Sequence, residues 1–231
     1  MRHILLGTLL GACMTAQAVT VFGPTSYTSA ADNPVTGSFS YSYLETFEDG
    51  LLDTNGLSAL GGSVLGPGAE TDSVDGDDGV VDGSGRAGHS YYSSGATSLA
   101  FSFAAAALGG QLPSVVGLAF TDVGTLLTAG IPCCVADATF EAFDEGGLSL
   151  GVVTVPRFGD GRVDGATAED RFVAIRHAGG ISRLVVGFAD SVDWEVDHLF
   201  YARDAAAVPA PATMALVTLG LLATGSLKRR R

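Results

Sequence analysis

Residues 70–82 hold six carboxylates in thirteen positions, interleaved with glycine, and no basic side chain follows until Arg86. Carboxylates this dense repel one another, and a hard cation with several oxygen ligands relieves the repulsion. Gly76, Gly79 and Gly83 allow backbone carbonyls to turn inward and join such a ligand set. Oxygen-only ligands point to calcium rather than zinc, with Asp72, Asp75, Asp77, Asp78 and Asp82 as the expected ligands. The spacing is not that of an EF-hand: the glycine register is wrong and no Glu closes a twelve-residue loop. The competing reading is a solvated acidic loop.

Other chemistry is thinner. A glycan platform needs exposed aromatic rings, and Tyr91, Tyr92 and Trp194 are the candidates, although a lone Trp beside a strand more often belongs to a core. His89, His177 and His198 fall in no zinc-protease arrangement, and no G-x-S-x-G elbow occurs. Two carboxylates flanking a glycosidic bond would make a hydrolase, but abundant Asp produces many false pairs. A non-catalytic body is the expectation. Cys133 and Cys134 are adjacent, so their Cα atoms lie ~3.8 Å apart, shorter than disulfides prefer. Free thiols and a vicinal bridge both remain open, and without a His or second pair they make a weak metal site.

The elements that must position these groups are strands. Residues 38–44 alternate, placing Phe39, Tyr41 and Tyr43 on one face. Further β-rich runs recur at 99–103, 115–121, 138–144, 148–155, 171–177, 181–189 and 194–202. The acidic-glycine turn at 144–147 predicts a hairpin between two of them, and 178–180 predicts a second tight turn. Residues 19–36 predict a first strand and loop, and 51–68 a loop with at most one short strand. Only 104–108 hints at a helical turn. About eight short strands with Gly-rich turns predict an all-β antiparallel sandwich, a jelly roll by preference, in one domain over residues 19–203.

Both ends carry different information. Met1, Arg2 and His3 precede an apolar run, and Ala16-Gln17-Ala18 has the A-x-A form of a signal-peptidase site, so residues 1–18 read as a signal peptide cleaved before Val19. A lipobox ending in Cys13 is the rival reading. Residues 204–231 contain a Pro-rich hinge, an uncharged run from 212 to 227, and a basic end of Lys228, Arg229, Arg230 and Arg231. Sixteen residues make a helix of ~24 Å, a short transmembrane span with a positive stop. Without Arg2 and the four basic residues of the tail, the chain holds seven Arg and no Lys against 25 acids, a net charge of −18. Such an anion repels nucleic acid and anionic lipid and suits divalent cations.

The tripartite tail, with Val208, Pro209, Ala210 and Pro211 before the apolar run and the basic end, resembles the PEP-CTERM sorting signal of Gram-negative bacteria. Ala210 stands where that motif has Glu. Phe47-Glu-Asp-Gly50, Asp82-Gly-Ser-Gly85 and Glu195-Val-Asp-His-Leu199 are similar to the body of many such proteins. The resemblance implies export through the general secretion machinery, anchoring in the inner membrane, and removal of the tail by an exosortase. The protein would then pass to the cell surface or a biofilm matrix. By likeness to calcium-bearing jelly-roll modules, Glu45, Glu48 and Asp49 would share an ion with Asp197, the alternative being that Asp197 faces solvent. The expected function is that of a non-catalytic, calcium-stabilised envelope or extracellular-polysaccharide protein. A glycan-binding adhesin is the first alternative, and a carboxylate-dependent hydrolase the second.

Overall fold

The computed structural model describes residues 19–68, 71–75, 84–124, 126–127, 131–132, 136–158, 170–189 and 193–206. The signal peptide with Cys13, Ala16 and Ala18, the acids Asp77, Asp78 and Asp82, Cys133 and Cys134 lie outside the described residues. So do the tail residues Val208, Pro209, Ala210, Pro211, Lys228, Arg229, Arg230 and Arg231 and the expected helix between them. Among the described residues no helix is long and apolar enough to cross a membrane.

Among the described residues the regular structure is almost wholly β. In order the strands are β1 Thr20–Ser26, β2 Phe39–Glu45, β3 Leu57–Leu60, β4 Ser63–Leu65, β5 Ser90–Tyr92, β6 Ser98–Phe103 and β7 Val115–Gly124. There follow β8 Leu126–Leu127, β9 Ile131–Pro132, β10 Ala136–Phe143, β11 Ser149–Phe158, β12 Arg171–Arg176, β13 Arg183–Phe188 and β14 Asp193–Asp204. One antiparallel sheet runs β1-β12-β7-β14-β5-β4, with β2 also paired to β14; the other runs β11-β10-β13-β6-β3. A two-stranded piece, β8-β9, stands apart.

Alternation explains the layering. On β6, Leu99, Phe101 and Phe103 are buried while Ser98, Ala100 and Ser102 are not; on β13, Leu184, Val186 and Phe188 do the same. These side chains meet Val116, Leu118 and Phe120 of β7 and Trp194 and Val196 of β14 in one apolar cluster shared by both sheets. Phe120 packs edge-on against Phe140, Phe158 and Phe188 at centroid distances of 5.8, 5.1 and 5.8 Å. Rings reaching across from one sheet to the other are what make the arrangement sandwich-like.

The seven-stranded sheet is also covered on its other face. Val115, Ala119, Phe172, Ala174 and Ala202 form a second cluster there with Tyr27, Val35 and Val74. The segment after β1 and the root of the acidic loop thus serve as a cover. A sheet buried on both faces reads as a continuous apolar run, as in Phe172-Val-Ala-Ile175.

The predicted hairpin at 144–147 joins β10 to β11, with Asp144 N donating to Leu148 O at 3.0 Å and Gly147 at φ 79°. The turn at 178–180 is present too, Gly180 N reaching His177 O at 3.0 Å. It links strands of different sheets, so it is a corner and not a hairpin. Residues 51–68 hold two short strands where one at most was expected, and Gly61-Gly62 passes the chain from one sheet to the other.

Candidate functional site

On β14, Val196 lies opposite Phe120 and Leu199 opposite Leu118, so Asp197 and His198 together oppose Ala119. A bulge that sets two residues against one re-aims its side chains. Trp194 and Val196 before it, and Leu199 and Tyr201 after it, belong to the inter-sheet core. Asp197 and His198 instead sit beside Tyr27 and Val74 of the outer cover, 0% and 1% exposed. The expectation that Asp197 could face solvent on a regular alternating strand is overturned by this bulge and by the cover above it.

Residues 71–75 lie along β14 and are held by its carboxylates. Asp72 N donates to Glu195 Oε2 at 2.8 Å, and Val74 N donates to Asp197 Oδ2 at 2.7 Å. Alternate amides of the loop root therefore meet alternate acids of the strand, on the face of the sheet that Val74 covers. Thr121 Oγ1 completes the attachment by donating to Asp72 O at 2.8 Å. Glu48 arrives from the segment after β2, where its Oε1 accepts from Ser73 Oγ at 3.1 Å and from His89 N at 2.7 Å. Ser73 Oγ is also 3.5 Å from Asp197 Oδ2.

His198 connects this junction to the first strand. Tyr27 Oη is 2.8 Å from its Nδ1, and Asp75 Oδ2 is 3.1 Å from its Nε2. One neutral tautomer satisfies both contacts, with Nε2–H donating to Asp75 and Nδ1 accepting from the tyrosine hydroxyl. Burial pushes the Tyr27 phenol above its ordinary range, and Asp197, Asp75 and Asp32 add to the effect. Burial also pushes the Asp197 carboxyl well up; the Val74 hydrogen bond opposes this, and Asp75, Glu48 and Glu195 reinforce it. Asp197 Oδ1 is buried and has no hydrogen-bond partner. A group so placed is suited to a proton or a cation.

Members of both expected ligand sets attach the loop root to β14: Asp72 through its backbone amide, Asp75 through His198, Glu48 through Ser73 and Asp197 through the Val74 amide. Glu45 is engaged elsewhere, its two oxygens accepting Phe47 N at 2.9 Å and Thr54 N at 3.1 Å. Asp49 Oδ1 closes a turn by accepting Leu51 N at 2.9 Å. Among the described residues no group of three or more His, Cys, Asp or Glu side chains is arranged to hold a metal ion.

The aromatic platform needs correction. Trp194 is 0% exposed, 4.7 Å from the Phe188 ring, with Nε1 donating to Ala96 O at 3.2 Å. Tyr91 is buried against Phe47 and Phe101 and donates to Gly62 O. Inward alternation on β5 and β14 places both rings in the core, which leaves them no face for a sugar; Tyr92 is half-buried. Sequence reading missed Tyr27, Ser73, Glu195 and His198. The available signal was Glu195-Val-Asp-His, three polar groups inside an apolar strand. Compared with known proteins, the chain matches no family model and no curated protein sequence.

Proposed function

We propose that this is an exported, non-catalytic β-domain of the cell envelope or extracellular polysaccharide matrix, jelly-roll in type, delivered by its PEP-CTERM-like tail. The observation that carries the reading is the order of parts in residues 208–231: Pro-x-Pro hinge, uncharged run, four basic residues at the end. The leader at the opposite end and an acidic body of two antiparallel sheets agree with it. Deleting residues 208–231 is expected to move the protein from the surface fraction to the periplasm. Undiminished surface display of the truncated chain would overturn the sorting role.

Calcium is the proposed stabilising cation. Support comes from the body's charge and from Asp197, whose Oδ1 is buried without a partner and whose carboxyl is in the field of Asp75 and Glu48. If free calcium stands ~100-fold above its dissociation constant, removal costs about 2.7 kcal/mol. A chelator is then expected to lower the melting temperature by roughly 5–10 °C. An identical melt with and without chelator would remove calcium from the proposal.

A further inference from the structure

Six residues along β14 from Asp197, Arg203 lines a depression of about 160 Å³ where three connecting segments meet. One is the stretch Gly110-Gln-Leu112 after the 3-10 turn Ala105–Leu108; the second is the β10–β11 turn with Glu145; the third is the β12–β13 turn with Gly179. Connecting loops gathered on a rigid β-scaffold are where recognition sites are commonly built.

Arg203 is distinctive in so acidic a body. Its Nη1 donates to Leu112 O at 3.3 Å, and among the described residues no carboxylate lies within ion-pairing distance of it. Arg176, by contrast, pairs with Asp204 at 3.4 Å, and Arg183 lies over the Phe143 ring at 4.1 Å. The space beside Arg203 depends on glycine. Gly180 has φ 101°, and a Cβ there would come within 2.9 Å of Leu112 Cβ and 3.5 Å of Arg203 Nη1.

We propose that this depression binds a carboxylate-bearing sugar residue, a uronate, of an extracellular polysaccharide; this rests on the matrix reading above and names its ligand class. The planar guanidinium matches a carboxylate with two parallel N–H···O bonds. Glu145, exposed on the opposite turn, accepts from ring hydroxyls, a role that a simple inorganic anion would not use. The volume suits one ring. The body's negative charge acts against a polyanion at long range, but the screening length is ~8 Å at physiological salt, so the local contact decides. Affinity per site is therefore weak, on the order of millimolar.

The test is a titration of the full chain, in mild detergent, with oligogalacturonate, neutral oligogalactose of equal length, and inorganic phosphate. Oligogalacturonate is expected to bind, Arg203→Gln to weaken it by at least ~10-fold, and Arg203→Lys to fall between, since Lys keeps the charge but not the fork. Matching melting temperatures for the variants and parent exclude a folding defect as the cause. Absence of oligogalacturonate binding, or binding indifferent to R203Q, overturns the assignment. Phosphate binding as tight as the oligomer's overturns the sugar ligand. Binding of the neutral oligomer alone overturns the uronate site while leaving polysaccharide association intact.

Discussion

Asp197→Ala, unfolded by urea in chelator, is expected to be about 2–4 kcal/mol less stable than the parent, because the buried amide of Val74 loses its acceptor. Asp197→Asn separates charge from hydrogen bonding. Burial holds the Asp197 carboxyl well above its ordinary range despite the Val74 bond, so the folded protein binds that proton more tightly than the unfolded chain does. The resulting stability is fully present below the unfolded value of about 3.9 and is lost as pH rises through the folded one. The asparagine keeps an acceptor for Val74 and carries no charge. D197N is therefore expected to exceed the parent in stability near ~pH 8, with the difference closing toward ~pH 4. A D197N protein as weak as D197A at the higher pH would show that the charge is an asset of the fold. In excess calcium the order should reverse, since the parent carboxylate then has a cation to meet.

Trp194→Ala is expected to cost about 3–5 kcal/mol, measured by circular dichroism because the protein loses its single Trp fluorophore. The ring lies between Phe188 and Phe120 at 4.7 and 6.2 Å, where the two sheets meet, and its indole N–H reaches Ala96 O. Trp194→Phe keeps most of the ring contact and gives up that bond, for a loss of about 1–2 kcal/mol. A near-neutral W194A would mean that the ring is not part of the inter-sheet core.

What the sequence revealed follows from the range over which each signal acts. Alternation is local, so β2, β6, β10, β11 and β13 were legible within a residue or two at most ends, and the glycines at 146 and 147 marked their hairpin. Sheet membership is not local. The turn at 178–180 looks like a hairpin turn, yet β12 pairs with β1 and β7 while β13 pairs with β6 and β10. The polar groups of Glu195-Val-Asp-His mark the place, but the bulge at Asp197-His198 itself is set by the pairing with β7. For the same reason the acids could not be sorted by counting. Glu45, Asp49, Asp137 and Asp144 accept backbone amides in or beside their own turns or hairpins, whereas Glu48, Glu195 and Asp197 hold a segment distant in sequence. Only tertiary contact separates the two uses. Trp194 and Tyr91 show the converse: rings that could serve as a sugar platform are drawn inward by the strands that carry them.

The export and sorting role is tested most directly by the intact mass of the protein recovered from the cell surface, which fixes both termini in one spectrum. The mass expected is that of a chain beginning at Val19 and ending near Pro209. A mass that retains residues 212–231 would reduce the tail to a simple anchor, and a cytosolic protein retaining the leader as well would contradict export altogether.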